Sequence, residues 1–183
     1  MKYIIFNKPY AVLSQFTSEE GKQSLKDFGF PKGVYPVGRL DYDSEGLLLL
    51  TDDNEVKHNL TDPKFELSKT YLAQIERVPS DDALQKLRDG AMIEGKKTKP
   101  AEVHLFEKEP DLPPRSVPIR FRKSVPTAWI ELTIREGRNR QVRKMTAAVG
   151  HPTLRLIRIK IGTIGFDDLQ PGQWKAIDKI NFL

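Results

Sequence analysis

Within GRLDYDSEGLLLLTDD, residues 38–53, Asp41, Asp43 and Glu45 occupy alternate positions just ahead of four leucines. On an extended chain this spacing puts three carboxylates on one face. Clustered oxygens could hold a hard cation such as Mg²⁺, and beside a basic groove that would suit a nuclease. Alternatively, one carboxylate backed by a rigid strand could attack an electrophilic carbon, given an arginine nearby that favours its charged form. The third reading is an acidic turn that merely precedes a buried strand.

The elements around these residues bear on the choice. Gly46 follows Glu45 at once, so Ser44-Glu45-Gly46 reads as a turn that would separate the carboxylates, and no second acidic cluster offers the other half of a two-metal site. His58, His104 and His151 are scattered without ligand spacing, and the absence of cysteine excludes thiolate sites and disulfides. No metal site is expected. GLLLLTDD reads as a buried strand stopped by acids, and DNEVKHNLTD as a short helix. LSKTYLAQIERV alternates Lys69, Tyr71 and Ala73 against Thr70, Leu72 and Gln74, as a strand would. SDDALQKLRDG carries an N-cap serine and a terminal glycine. AMIEGKKTKPAEVHLFE reads as two strands around a polar turn. The four prolines within EKEPDLPPRSVP predict a loop over 107–118 that connects lobes.

Further along, TAWIELTIR and TLRLIRIKIG read as strands. Between them the spacing of Val142, Met145, Thr146 and Val149 predicts a helix over 138–149, stopped by Gly150 and Pro152. Arg138, Arg140, Arg143 and Lys144 decorate it, and the segment leading into it would offer free N–H groups to phosphate. Strands in hairpin order with few helices predict an α+β fold with a mixed, largely antiparallel sheet flanked by helices.

Charge is unevenly spread along the 183 residues. Arg115 to Lys160 holds twelve Lys and Arg against Glu131 and Glu136, about +10 of a chain whose net charge is +5. A basic block in an otherwise acidic chain suits a nucleic-acid partner. GLLLL is too short to span a bilayer and MKYIIFNKPY reads as a strand, so no membrane association is expected.

Taken together, these motifs resemble the pseudouridine synthases, in the ribosomal-RNA branch typified by RsuA, RluB, RluE and RluF. GRLDYDSEGLLLLT is similar to that family's catalytic motif and NKPYAVLS to its first strand and turn. LSKTYLAQIE resembles its tyrosine motif, EGRNRQVRKMTAAVGHPTLRLIRIKIG its arginine helix and following strand, and LQPGQWKAI its last strand. The chain departs from the family in reading LTDDNE where LTND is usual.

The resemblance implies a pseudouridine synthase fold with two lobes around a basic catalytic cleft. A single catalytic domain over 1–183, without the S4 RNA-binding domain of many relatives, is the corresponding expectation. The resemblance further implies isomerisation of a uridine in ribosomal RNA, of the large subunit, by a cytoplasmic monomer that needs no cofactor. Asp41 would be the nucleophile, Tyr71 would pack on the target base, and Arg143 would be the ion-pair partner of Asp41. Asp43 and Glu45 would support the turn. Lys8, Arg39, Lys69, Arg138, Arg140 and Lys144 would line the RNA groove. The competing class is a non-catalytic RNA- or ribosome-binding protein, which would keep the basic block without needing the Asp, Tyr and Arg.

Overall fold

The computed structural model describes residues 1–119, 124–166 and 168–178. The first part of the chain forms β1 (Tyr3–Lys8), β2 (Val12–Leu13), β3 (Gln23–Ser24), β4 (Tyr35–Val37) and β5 (Glu45–Thr51). Then come α1 (Asn54–Thr61), β6 (Lys69–Glu76), α2 (Asp81–Arg88), β7 (Met92–Ile93), β8 (Lys96–Lys97) and β9 (Glu102–Leu105). The remainder is β10 (Thr127–Ile134), α3 (Gln141–Ala148), β11 (Thr153–Ile161), β12 (Ile164–Gly165) and β13 (Trp174–Ile177).

One sheet dominates, in the order β13-β1-β5-β11-β6-β10-β9, with β4 on β5 and β12 on β11. Within this sheet, among the described residues, the parallel pair is β5 and β11, through Glu45 with Ile157 and Gly46 with Arg158, and outside it β2 and β3 also run parallel. The fold is therefore α+β with a mixed, largely antiparallel sheet. AMIEGKKTKPAEVHLFE yields three strands rather than two, because β7 and β8 close a tight hairpin before β9 joins the main sheet. The 107–118 segment is irregular throughout, and it connects β9 to its sheet neighbour β10.

The four leucines are continuous because both faces of β5 are covered. Leu48 and Leu50 join Ile4, Phe6, Tyr71, Leu132 and Met145 in one core cluster, against which α2 and α3 pack. Leu47 and Leu49 join Tyr3, Ile5, Val56 and Leu60 on the other face, under α1. A strand sandwiched in this way has no polar face to alternate with. Asp53 caps α1 by accepting from the Glu55 and Val56 amides, and Ser80 caps α2 by accepting from the Ala83 amide.

The third helix starts three residues later than its apolar spacing predicts. Arg140 sits in the left-handed region at φ 51°, so the chain enters the helix only at Gln141. Left-handed backbone is strained for a side chain of this size. Two amides of the preceding loop are already engaged: Arg138 N donates to Gln141 Oε1, and Gln141 N donates to the Arg138 carbonyl. The anion-receptive loop predicted ahead of the helix is thus partly filled by its own chain.

Candidate active site

The opening acidic stretch resolves into three different environments. Asp41 to Ser44 is a turn closed by the Ser44 amide on the Asp41 carbonyl, and β5 begins only at Glu45. Glu45 is buried and forms a two-bond ion pair with Arg155, at 2.8 and 2.9 Å. Asp43 is gripped by Arg140, whose two Nη atoms donate to its two carboxylate oxygens, both at 2.8 Å. Asp41 faces a cavity of about 330 Å³. Asp41 and Asp43 meet one arginine while Glu45 is turned into a separate buried ion pair, so the premise of a three-carboxylate cation cage fails. Among the described residues no group of three His, Cys, Asp or Glu is placed to hold a metal.

The cavity collects residues from distant parts of the chain. Asp41 and Arg39 come from the loop before β5, Lys69 and Tyr71 from β6, Arg140 from the turn before α3, and Arg158 from β11. Tyr71 is 9% exposed and belongs to the large core cluster, so its ring is fixed by packing while it lines the cavity wall. Burial of the strand on both faces makes this support rigid.

The ion partner of Asp41 differs from the expectation. Arg140, not Arg143, approaches its carboxylate, at 3.4 Å. Arg143 points inward as its helical position predicts, with a side chain 13% exposed, but its Nη2 donates to the Asp43 carbonyl at 2.7 Å. Its Nη1 donates to the Thr153 carbonyl, and the Asp43 carboxylate lies 3.5 Å away. Arg143 therefore builds the turn that carries Asp41 rather than pairing with it. The left-handed turn at Arg140 is the cause, since it directs that side chain back across the acidic loop. The Arg140 guanidinium holds the Asp43 carboxyl below the usual carboxylate range, against an opposing push from burial.

The expected groove cations divide in the same way. Arg39 is exposed at the cavity rim. Lys8 is a correction: it is fully buried, its ammonium donating to the Pro9 and Val12 carbonyls, so it offers nothing to a ligand in solution. Burial lowers its pKa to about 7. Arg138 spends its guanidinium on the Ile93 and Lys96 carbonyls of the β7–β8 hairpin. Lys144 pairs with Glu94 at 2.7 Å.

Sequence reading missed Arg158. It is 4% exposed, its Nε donates to the Leu47 carbonyl, and its Nη2 is buried with no hydrogen-bond partner. Sheet register places Lys8, Gly46, Arg158, Tyr71 and Leu132 in one row across five strands. A signal existed: an arginine at an inward position of an apolar strand is rare unless it has a task.

Comparison with known proteins gives a consistent assignment. Residues 2–148 match the family model described as RNA pseudouridylate synthase. Ribosomal large subunit pseudouridine synthase E of Xanthomonas campestris pv. campestris is 54% identical over 177 residues, covering 96% of this chain and 95% of that one. Ribosomal large subunit pseudouridine synthase B of Bacillus subtilis is 38% identical, covering 96% and 67%. Among solved structures, a crystal structure of a pseudouridylate synthase superposes with a TM-score of 0.78 at 29% identity, covering 96% of this chain and 70% of that chain.

Proposed function

Because the chain belongs to the RNA pseudouridylate synthase family, we propose that it converts a uridine of large-subunit ribosomal RNA to pseudouridine with Asp41 as the reacting carboxylate. The observation that carries this reading is the single cavity in which Asp41, Tyr71 and Arg140 meet. The names of the relatives, ribosomal large subunit pseudouridine synthases E, support the choice of RNA. The proposal also makes the acting species a monomer and places it in the cytoplasm with its RNA.

Isomerisation opens the N1–C1′ bond of uridine, turns the base, and closes a C5–C1′ bond. The electron pair of the broken bond leaves with the uracil. Asp41 meets the electron-poor sugar either by forming a C1′–O bond or by accepting the C2′ proton. When C5 joins C1′, either the C1′–O bond breaks and its electron pair returns to the Asp41 carboxylate, or Asp41 gives its proton back to C2′; C5 then loses its proton and N1 gains one. Nothing is oxidised and no group passes to a second molecule.

Water would capture the sugar and lose the base, so the pocket must exclude it. Tyr71, immobile in the core, supplies a flat apolar wall for the base, while Arg140 supplies charge beside Asp41. The target nucleotide must leave its stack to enter. Arg39 at the rim and Arg140, if released from Asp43, would hold the flanking phosphates. Pseudouridine mapping of large-subunit RNA from cells with and without this protein tests the assignment. Loss of one pseudouridine, restored by the wild type and not by Asp41→Asn, is the expected result. An unchanged pattern in both subunits' RNA would overturn it.

A further inference from the structure

Beside Tyr71 the cavity carries positive charge that no acid neutralises. Lys69 precedes Tyr71 by two residues on β6 and so shares its face, and Arg158 lies directly across from Tyr71 on β11. Both line the cavity. Among the described residues neither forms an ion pair within 4.0 Å. Lys69 gives one bond, to the Leu67 carbonyl at 3.1 Å, which leaves two of its three donors unused. Arg158 leaves its buried Nη2 without a partner.

Buried cations without partners cost stability, so their retention beside a cavity calls for something else to meet them. Backbone phosphates are met well enough by exposed arginines at a rim. Two desolvated cations in the wall next to the aromatic ring are placed for the base instead.

We propose that Lys69 and Arg158 form a cationic wall that takes up the negative charge left on uracil when its N1–C1′ bond opens. This rests on the function proposed above. As that bond breaks, its electron pair delocalises from N1 onto the two carbonyl oxygens of the detached ring. The Lys69 ammonium donates to one of these oxygens, and the Arg158 guanidinium adds a fixed charge behind it. In a site closed to water such preorganised charge stabilises the transition state strongly. When C5 attacks C1′, the charge on the ring is consumed and the wall lets go. The burial that lowers the Lys69 pKa, with Arg158 as the neighbouring cation, is what makes the pair receptive to an anion.

The test compares single-turnover rates at saturating enzyme for two RNAs, one with uridine and one with 5-fluorouridine at the target. Fluorine at C5 stabilises the departing anion by induction, so its N1–C1′ bond needs less help. Opening is followed as loss of the N-linked nucleoside after digestion. Lys69→Gln should slow uridine RNA roughly a hundredfold, with RNA affinity within about threefold of wild type. On 5-fluorouridine RNA its deficit should shrink at least tenfold relative to wild type.

Arg158→Met should show the same pattern, but Lys69→Gln decides, because Lys69 is only half-buried and its loss spares the core. An equal deficit on both RNAs would overturn the inference, and so would weakened binding with an unchanged saturated rate, which marks a phosphate contact. A wild type that leaves large-subunit RNA unmodified overturns the proposed function and this inference together. An active wild type with an unaffected Lys69→Gln overturns this inference alone.

Discussion

Arg140 holds Asp43 through two parallel bonds of 2.8 Å and reaches Asp41 with the same Nη1, at 3.4 Å. One guanidinium thus serves two carboxylates with unequal grip. Asp43 fixes the orientation of the arginine, and Asp41, which lines the cavity, receives its charge. On the proposed function, this division of labour separates a reacting acid from a positioning acid two residues away.

On the proposed function, Asp41→Asn should lower the single-turnover rate by on the order of 10⁴-fold or more, since it removes the reacting carboxylate without changing shape. Asp43→Asn should cost roughly 10- to 100-fold, because Arg140 loses a charged, bidentate anchor but Asp41 remains. Release of tritium from C5-labelled uridine reports both. Equal losses would mean that the two carboxylates act as one unit and that the assignment to Asp41 is wrong.

The two arginines should separate in the opposite sense. Arg143→Ala should destabilise the fold by about 2–4 kcal/mol, because the Asp43 and Thr153 carbonyls lose a buried donor. Arg140 is 41% exposed, so Arg140→Ala should cost under about 1 kcal/mol of stability while slowing catalysis markedly. Urea unfolding paired with single-turnover rates checks this. If Arg140→Ala keeps its rate, then its contact with Asp41 is incidental.

Much of this arrangement could be read from residue order. An N-cap serine announced α2, and four consecutive leucines announced a buried strand. The apolar spacing of Val142, Met145 and Thr146 announced α3, though not its first residue. What spacing could not supply was the left-handed backbone at Arg140, because that conformation is imposed by packing and by Asp43 rather than by the residue's own preference. The partner that the resemblance implied for Asp41 was Arg143, where the structure has Arg140. Lys8 looked like a groove cation because lysine beside a turn is ordinarily solvated. Its burial comes with its place in the sheet, where it lies opposite Gly46 of β5, a relation visible only once the strands are paired.

Lys8 should leave a signature in the pH dependence of stability. Its pKa falls from 10.5 to about 7 on folding, because burial disfavours the charged form. Between those values the unfolded chain holds a proton that the folded chain has released. Stability therefore rises with pH across that window, by at most about 1.4 kcal/mol per unit, and is flat in this respect below it. Lys8→Met removes the group that titrates. The stability of the wild type relative to Lys8→Met should climb from pH 7 to pH 10 in urea titrations. A pH-independent difference would show that Lys8 keeps its proton in the fold, held by the Pro9 and Val12 carbonyls.

Gly46 is a position where the fold has no room for a side chain. Its φ is +99°, a conformation that side chains rarely adopt, and a Cβ there would lie 2.3 Å from the Arg158 carbonyl oxygen and 2.9 Å from the Arg158 nitrogen. Both contacts are with backbone, so no rotamer change relieves them. The glycine is what lets β5 and β11 approach in parallel at the pair Gly46 and Arg158, in the row that also contains Lys8 and Tyr71. Gly46→Ala should therefore cost at least about 3 kcal/mol, well above a typical surface substitution. The loss should extend to activity in whatever folded protein remains, because the displaced β11 carries Arg158 away from the cavity. Gly95 makes the control: its φ is also positive, at +74°, but nothing lies within 4 Å of a Cβ there. Gly95→Ala pays only the backbone strain, about 1 kcal/mol, and should leave the rate unchanged. Thermal melts and single-turnover rates on the two variants separate steric crowding from strain. Equal destabilisation in both would mean that β11 yields to the methyl group, and that the close approach at Gly46 is not what sets the site.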